Sequence, residues 1–401
     1  MSAPPTELQD VGATAGVGVL ETRLTGLSRD EFARDVWART ALLTRRASDF
    51  SDLFSADAVD ELISRRGLRT PFLRVAKNGS TLPESSFTAP GGVGATIADQ
   101  LDDTALWREF ADGATLVLQA LQRTWGPVAD FSARLSTELG HPVQANAYVT
   151  PPQNRGFDDH YDVHDVFVLQ IDGTKRWLIH EPVHPDPLRD QPWTDRRDAV
   201  ADAAKGEARI DTVLEPGDVL YLPRGWLHAA RAQGEVSIHL TLGIHGWTRY
   251  GLAEQLAKAA LATLRDDPRM RGTLPLGVDG PEGEIDIVRE HLVAAVTKAN
   301  CAPLFHRARR GQGRPAPLGP LAQLAAVDSL GPDSPVRLRE ALDVRLEGRR
   351  LATRVGWLDF PEADLPSVTR VLDGEVHMSG DLGVDLVERL LRAGVLVPAE
   401  Q

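Results

Sequence analysis

Two short segments far apart in the chain constrain it most. They are His160-Tyr161-Asp162 and a downstream stretch, Glu215-Pro216-Gly217-Asp218 through Pro223-Arg224-Gly225-Trp226-Leu227-His228. Two imidazoles and one carboxylate are the donor set of a mononuclear non-haem Fe(II) centre, which leaves adjacent coordination positions open for a co-substrate and oxygen. Residues 163–171 are rich in β-branched and aromatic side chains and Gly173 follows as a turn signal, so this stretch reads as a strand. If that strand begins slightly early, His160 and Asp162 stand two apart on one face and both reach one ion. Pro216-Gly217-Asp218 reads as a turn, Val219 to Leu222 as a short strand, and Pro223-Arg224-Gly225 as a bend that delivers His228. Cys301 is the single cysteine, which excludes a Cys-based zinc site and an internal disulfide.

A lone His-x-Asp is more often a surface polar pair than a ligand pair, and the downstream histidine is what makes the pattern specific. Two other histidines compete. His164 would suit a helix beside His160, but the local pattern is extended, which assigns it to solvent or to a shell around the ligands. His239 lies where Val236, Ile238, Leu240 and Leu242 alternate with Ser237, His239, Thr241 and Gly243, a half-polar strand that makes His239 a pocket-lining or buried histidine.

Together the run Asn146-Ala-Tyr148-Val-Thr150-Pro-Pro, the segment Gly156 to Trp177, the stretch Leu214 to His228, and Ser237-Ile-His-Leu-Thr-Leu resemble the JmjC/cupin-4 group of ribosomal oxygenases. The resemblance covers roughly a hundred residues. It implies an α+β fold with a double-stranded β-helix (cupin/JmjC jelly roll) core, Fe(II) as the metal, 2-oxoglutarate and O2 as co-substrates, and hydroxylation of a protein side chain. His160, Asp162 and His228 match the family's ligand positions and would be the catalytic centre. Thr150 and Tyr148 match family positions near the cosubstrate and the substrate, while Asn146 and Tyr148 could equally be ordinary strand residues.

Lys175 gains meaning from chemistry and resemblance alike. The far carboxylate of 2-oxoglutarate needs a cation, and a lysine on a nearby strand supplies one. Its spacing from Asp162 suits an antiparallel return past the Asp172-Gly173 turn, and the alternative is a surface lysine beside Arg176. For the substrate, Asn146 and Tyr148 on one strand and His239 and Gly243 on another are the candidates, with glycine at 243 leaving room for an approaching side chain.

At 401 residues the chain is long enough for several domains. Residues 1–24 read as a loose leader and 25–247 as the oxygenase domain, with barrel strands from about 143 and an insertion at 185–210. Ser28-Arg-Asp-Glu31 is a capping box, Ser55 caps a second helix, and 98–139 reads as largely helical with Leu106, Leu116, Leu118, Leu121 and Phe131 in the core. Apolar stripes at Leu252, Leu256, Ala260 and Leu264, and at Ile285, Val288, Leu292 and Val296, mark 248–325 as a helical domain. In the resembled family this region forms a homodimer; packing within one chain is the competing reading. Arginine-bearing residues 307–335 read as a linker. Residues 326–401, with a helix from Asp381 to Ala393, resemble the family's winged-helix-like module.

The net charge of −13 and pI near 5.3 disfavour a nucleic-acid partner and favour a basic protein or peptide, such as a ribosomal protein. No apolar window suits a membrane span and no signal peptide is legible, so the expected location is cytoplasmic. The expected reaction is hydroxylation of a histidine or arginine side chain. Alternatives are a hydroxylase of a peptide natural product, an N-methyl-lysine demethylase, and a cupin-like binding module without turnover.

Overall fold

The computed structural model describes residues 18–399 except 78, 95, 153, 155–157, 278–281, 313, 314, 341, 343, 354 and 355. The chain divides at Gly246 and Trp247 into two compact units.

In the first unit, helix starts follow their sequence signals. Ser28 Oγ accepts the Glu31 N–H at 3.3 Å while the Glu31 carboxylate accepts the Ser28 N–H at 3.0 Å, opening α1 (Arg29–Asp35). Ser55 caps α2 (Ala56–Arg65). Further on come α3 (Asp103–Ala111), α4 (Leu121–Thr124) and α5 (Gly126–Leu139). Two expectations need correction. The loose leader stops short of residue 24, because Leu20–Thr25 forms a helical turn that buries Leu20 and Leu24 completely; residues 1–17 lie outside those described. The helical reading of 98–139 is interrupted by a strand, Thr115–Leu118, whose Leu116 and Leu118 join the core from a sheet.

Strand pairing makes two facing sheets. The larger is antiparallel throughout, in the order β1 (Leu42–Thr44), β11 (Val219–Leu222), β8 (Asp165–Asp172), β13 (Ser237–Ile244), β7 (Val143–Thr150), β6 (Thr115–Leu118), β2 (Leu73–Lys77) and β3 (Ser80–Thr81). The smaller has β10 (Ile210–Leu214), β9 (Lys175–His180) and β12 (Leu227–Ala232). A ribbon of β4 (Thr88–Ala89) and β5 (Gln100–Leu101) stands apart, and α6 (Arg197–Ala203) lies in the insertion between β9 and β10.

The period of two sorts side chains between two cores. On β7 and β8, Ala145, Ala147, Val149, Phe167 and Leu169 face the helices, where Phe32 of α1 packs on Phe167 and Tyr221. Their neighbours Val166 and Val168 turn inward against Trp177, Ile179, Leu214 and Trp226 between the sheets. Burying each large side chain contributes about 1.5–3 kcal/mol. The result is the expected double-stranded β-helix, and β2 and β6 lengthen its larger sheet beyond the strands foreseen from 143 onward.

One connection differs from expectation. β8 and β9 do not return on each other as a hairpin. The chain crosses at Gly173 from the larger sheet to the smaller, where Lys175 pairs with Leu214 and Ala232. Gly173 has φ +58°, and a Cβ there would stand 2.0 Å from the Val236 carbonyl oxygen.

The second unit begins with α7 (Arg249–Asp266) and α8 (Glu282–Lys298), which pack on each other, then α9 (Ala302–Gln312) and α10 (Pro320–Asp328). The stretch 307–335 is therefore not a plain linker; Arg314 and the side chains of Arg307 and Arg310 lie outside the described residues. Two three-stranded sheets follow, β18 (His377–Met378), β14 (Pro335–Leu338), β19 (Leu396–Pro398), and β15 (Arg345–Glu347), β16 (Arg350–Thr353), β17 (Gly356–Asp359). They share a core with α11 (Leu365–Val371), α12 (Ser379–Leu382) and α13 (Val384–Arg392). The single helix expected from Asp381 is split at Gly383, whose φ is +98°. Leu386, Val387, Leu390 and Leu391 are buried as the pattern requires.

Because Gly173 combines a left-handed φ with backbone contact, Gly173→Ala is expected to cost at least about 1–3 kcal/mol. Denaturant melts of the two proteins check this; an unchanged midpoint would refute the account of the crossover.

Candidate metal centre

His160 and Asp162 lie in an extended segment just before β8, which starts at Asp165 and not earlier. What aligns them is β12. His228 N–H donates to the His160 carbonyl at 2.8 Å, His160 N–H donates to the His228 carbonyl at 3.2 Å, and Gly225 N–H donates to the Asp162 carbonyl at 2.9 Å. This pairing places one ligand atom from each of His160, Asp162 and His228 within 4.8 Å of one another.

The donor set fits a divalent ion. Each ring uses Nδ1 on a backbone carbonyl, His160 on Asp158 at 2.7 Å and His228 on Trp226 at 3.0 Å, which leaves Nε2 to face the site. His228 Nε2 stands 3.8 Å from Asp162 Oδ2. Ligands at right angles on bonds of about 2.1 Å lie roughly 3 Å apart, so small side-chain rotations close the cluster. Protonation states agree. Burial, then His160, pushes His228 down to about 4, so it is neutral. Burial opposes the Asp162 charge, yet His164, His228, His160 and Arg74 together hold its carboxyl below the usual range.

The cluster opens into a pocket between the sheets, lined also by Tyr148, Lys175, His239, Trp177, Thr115 and Thr241. Lys175 is only 3% exposed. Its ammonium donates to Thr150 Oγ1 at 3.0 Å, and it pairs with no carboxylate among the described residues. Thr115 Oγ1 lies 3.2 Å from the same hydroxyl. Burial alone pushes Lys175 down to about 7.

The substrate candidates separate. Tyr148 and His239 stack at 4.8 Å with planes 3° apart, and Trp177 meets His239 edge-on at 5.4 Å. Burial, then Asp162, raises Tyr148 to about 12; burial, then Lys175 and His228, holds His239 well below its ordinary value, so both are neutral. Asn146 has a structural task, because its Oδ1 accepts the Ala120 N–H at 3.0 Å. The room expected at Gly243 is taken by His164, since a Cβ at 243 would stand 2.7 Å from His164 Nε2. His164 rests against the His245 ring at 4.9 Å, in keeping with its expected place around the ligands. Trp177 and Thr115 escaped the sequence reading. Trp177 was available as the residue two beyond Lys175 on the same strand face, whereas Thr115 was hidden by the helical reading of its segment.

Residues 126–252 match the family model of the JmjC domain. That stretch is similar to a JmjC domain. Ribosomal oxygenase 1 of Rattus norvegicus is 32% identical over 265 residues, 64% of this chain and 42% of that protein. The bifunctional lysine-specific demethylase and histidyl-hydroxylase NO66 of Drosophila grimshawi is 29% identical over 276 residues, 65% of this chain and 35% of that protein. The chain thus spans about two fifths of the length of the curated relatives it matches. Among solved structures, Escherichia coli YcfD, a ribosomal oxygenase in complex with cobalt and 2-oxoglutarate, superposes with a TM-score of 0.54 at 19% identity, covering 93% of this chain and 98% of that one. The matched stretch contains the whole cluster, since His160, Asp162, Lys175 and His228 all fall within 126–252.

Replacing Asp162 or His228 by alanine is expected to reduce divalent-metal binding by at least tenfold while circular dichroism stays unchanged, because the sheets' cores do not include the ligands. A Co(II) titration of the folded variants decides. Wild-type affinity in either would sink the ligand assignment.

Proposed function

We propose that this chain is an Fe(II)- and 2-oxoglutarate-dependent oxygenase that hydroxylates a histidine or arginine side chain of a basic protein, with a ribosomal protein as the favoured substrate. The observation that carries the reading is the His160, Asp162, His228 cluster sharing one pocket with the carboxylate-free lysine Lys175. The names of the relatives support it. With iron, 2-oxoglutarate and O2 bound, such a site puts one oxygen atom into a substrate C–H bond and the other into succinate, with loss of CO2.

The chain's own groups prepare that chemistry. His160 and His228 present neutral Nε2 donors and Asp162 supplies negative charge. Lys175, positioned by Thr150, offers its ammonium to the far carboxylate of the cosubstrate. Val166, Val168, Trp177 and Ala230 give the pocket an apolar lining that excludes water and strengthens this ion pair. Tyr148 and His239, stacked and neutral, form a flat wall for a planar substrate side chain. N-methyl-lysine demethylation starts from the same C–H oxidation, and the demethylase in the name of the NO66 relatives keeps it as the second reading.

The deciding experiment is mass spectrometry of the host's ribosomal proteins with and without the active protein. A gain of one oxygen on a histidine or arginine is expected, lost in Tyr148→Ala while uncoupled 2-oxoglutarate decay persists. With a net charge of −13, capture of the basic substrate should weaken as salt rises. Oxidation confined to a free small molecule would overturn the reading.

For Lys175→Ala the expected result is a 2-oxoglutarate requirement raised about ten- to a hundredfold with metal content unchanged, the loss of a charge-assisted contact of roughly 1.5–3 kcal/mol. The pH dependence has a definite sign. Lys175 titrates near 7 without the anion, so cosubstrate affinity is full below that and falls by up to tenfold per unit as pH rises above it. His239 stays neutral there and adds no opposing change. A flat affinity profile from pH 6.5 to 8.5, measured by calorimetry, contradicts this.

We also propose that the helical region joins two copies. Leu252, Leu261, Ile285, Val288 and Val293 of α7 and α8 are each more than 40% exposed, a surface that association would cover. Light scattering at micromolar concentration should return a dimer mass, and a monomer mass would refute it. Among the described residues no helix is long and apolar enough to cross a membrane.

A further inference from the structure

A buried carboxylate that the proposed chemistry does not use lies three residues beyond Asp162. Asp165 is 6% exposed and accepts two hydrogen bonds from different parts of the fold. Its Oδ1 takes the Arg224 N–H at 2.9 Å, and its Oδ2 takes the Tyr221 hydroxyl at 2.8 Å. The Tyr221 oxygen accepts in turn the Ala38 N–H at 3.0 Å, presented by a residue held at φ +54°. Arg224 opens the short turn before β12. The next residue, Gly225, donates to the Asp162 carbonyl, and Trp226 offers the carbonyl that fixes His228 Nδ1. Gly225 has φ +88°, and a Cβ there would lie 2.7 Å from the His184 carbonyl oxygen, so the turn has little freedom on its other side.

We infer that Asp165 is a positioning residue that ties the Asp162 arm to the His228 arm, so that the hydrogen-bonded chain Ala38, Tyr221, Asp165, Arg224 sets the geometry of the metal centre. The inference rests on the metal reading above. The carboxylate touches neither metal nor substrate. It acts by holding one end of the turn, so that the Trp226 carbonyl keeps the His228 ring aimed at Asp162. Partners of this kind change metal affinity by about 10- to 100-fold when removed. A structural carboxylate of equal burial would lower stability and leave the coordination of the folded fraction alone.

The test compares Co(II) affinity and the Co(II) d–d absorption spectrum of the full chain with those of Asp165→Asn, Asp165→Ala and Tyr221→Phe. Leu62→Ala, a core change in α2 outside the hydrogen-bonded chain, is the control for lost stability. The expected result is affinity reduced roughly tenfold in Asp165→Asn and up to a hundredfold in Asp165→Ala. The spectrum should be altered in both, Tyr221→Phe should fall between wild type and Asp165→Asn, and Leu62→Ala should match wild type. Should Asp165→Ala fail to fold, Asp165→Asn decides alone. Wild-type affinity and spectrum in folded Asp165→Asn overturn the inference and leave the metal reading standing, whereas a wild-type chain that binds no Co(II) overturns both.

Discussion

Everything at the centre depends on two backbone hydrogen bonds between His160 and His228. They are the only strand-like pairing the His160 segment makes among the described residues, and they join the chain before the larger sheet to the first turn of β12 in the smaller one. Side chains on directly opposed residues of an antiparallel pair lie close together on one face, so the bridge brings the imidazoles to 4.4 Å between ring centroids. Asp162, two residues on, shares that face. A register slip of one residue would turn all three donors away from each other. The glycine turn at 225 and the contact of its N–H with Asp162 keep that slip from occurring.

The second constraint is polarity in an apolar place. Between the sheets, the same inward face carries Val166, Val168 and Trp177 and also Lys175, His239 and Asp162. Burial acts oppositely on the two signs. It drives His228, His239 and Lys175 towards neutrality, while the charges that His164, His160 and Arg74 can carry nearby favour the ionised aspartate. The pocket thereby sets an anionic carboxylate on one segment and a buried lysine on a strand of the smaller sheet, with neutral aromatic rings beside them.

How much of this was legible depends on how local each feature is. The donors His160, Asp162 and His228, and the lysine, are marked by residue type and by turn signals next to them, and they were readable. The start of β8 was not, because the segment carrying His160 is extended through one bridge to a distant strand and not through its own sheet. The Asp172-Gly173 turn has the chemistry of a hairpin, but whether the next strand returns beside β8 or crosses to the other sheet is decided by Val236 and by pairing with β10 and β12. Thr115–Leu118 is buried at every position, so it lacks the alternation that signals a strand and blends with the helices around it. Leu20 and Leu24 span one helical turn, too short for periodicity to show against a leader of glycine, alanine and threonine. Glycine at 243 suggested room for an approaching substrate side chain, but that space holds His164, which only the three-dimensional approach of the Asp162 segment to β13 reveals.

The lysine also links function to stability. A shift from 10.5 to about 7 corresponds to a few kcal/mol against folding, on the order of 4 to 5, fully present below pH 7 and relieved as pH rises towards the unfolded value. Among the described residues no carboxylate offsets it. An anion placed beside Lys175 raises its folded pKa and removes part of that cost, so an anionic cosubstrate stabilises the fold beyond what its other contacts provide, and most strongly in the lower pH range. A neutral molecule of the same shape gains none of this. On the proposed function, a preference for a doubly charged acid, with one carboxylate at the metal end and one at the lysine, follows from a buried lysine that meets no carboxylate among the described residues.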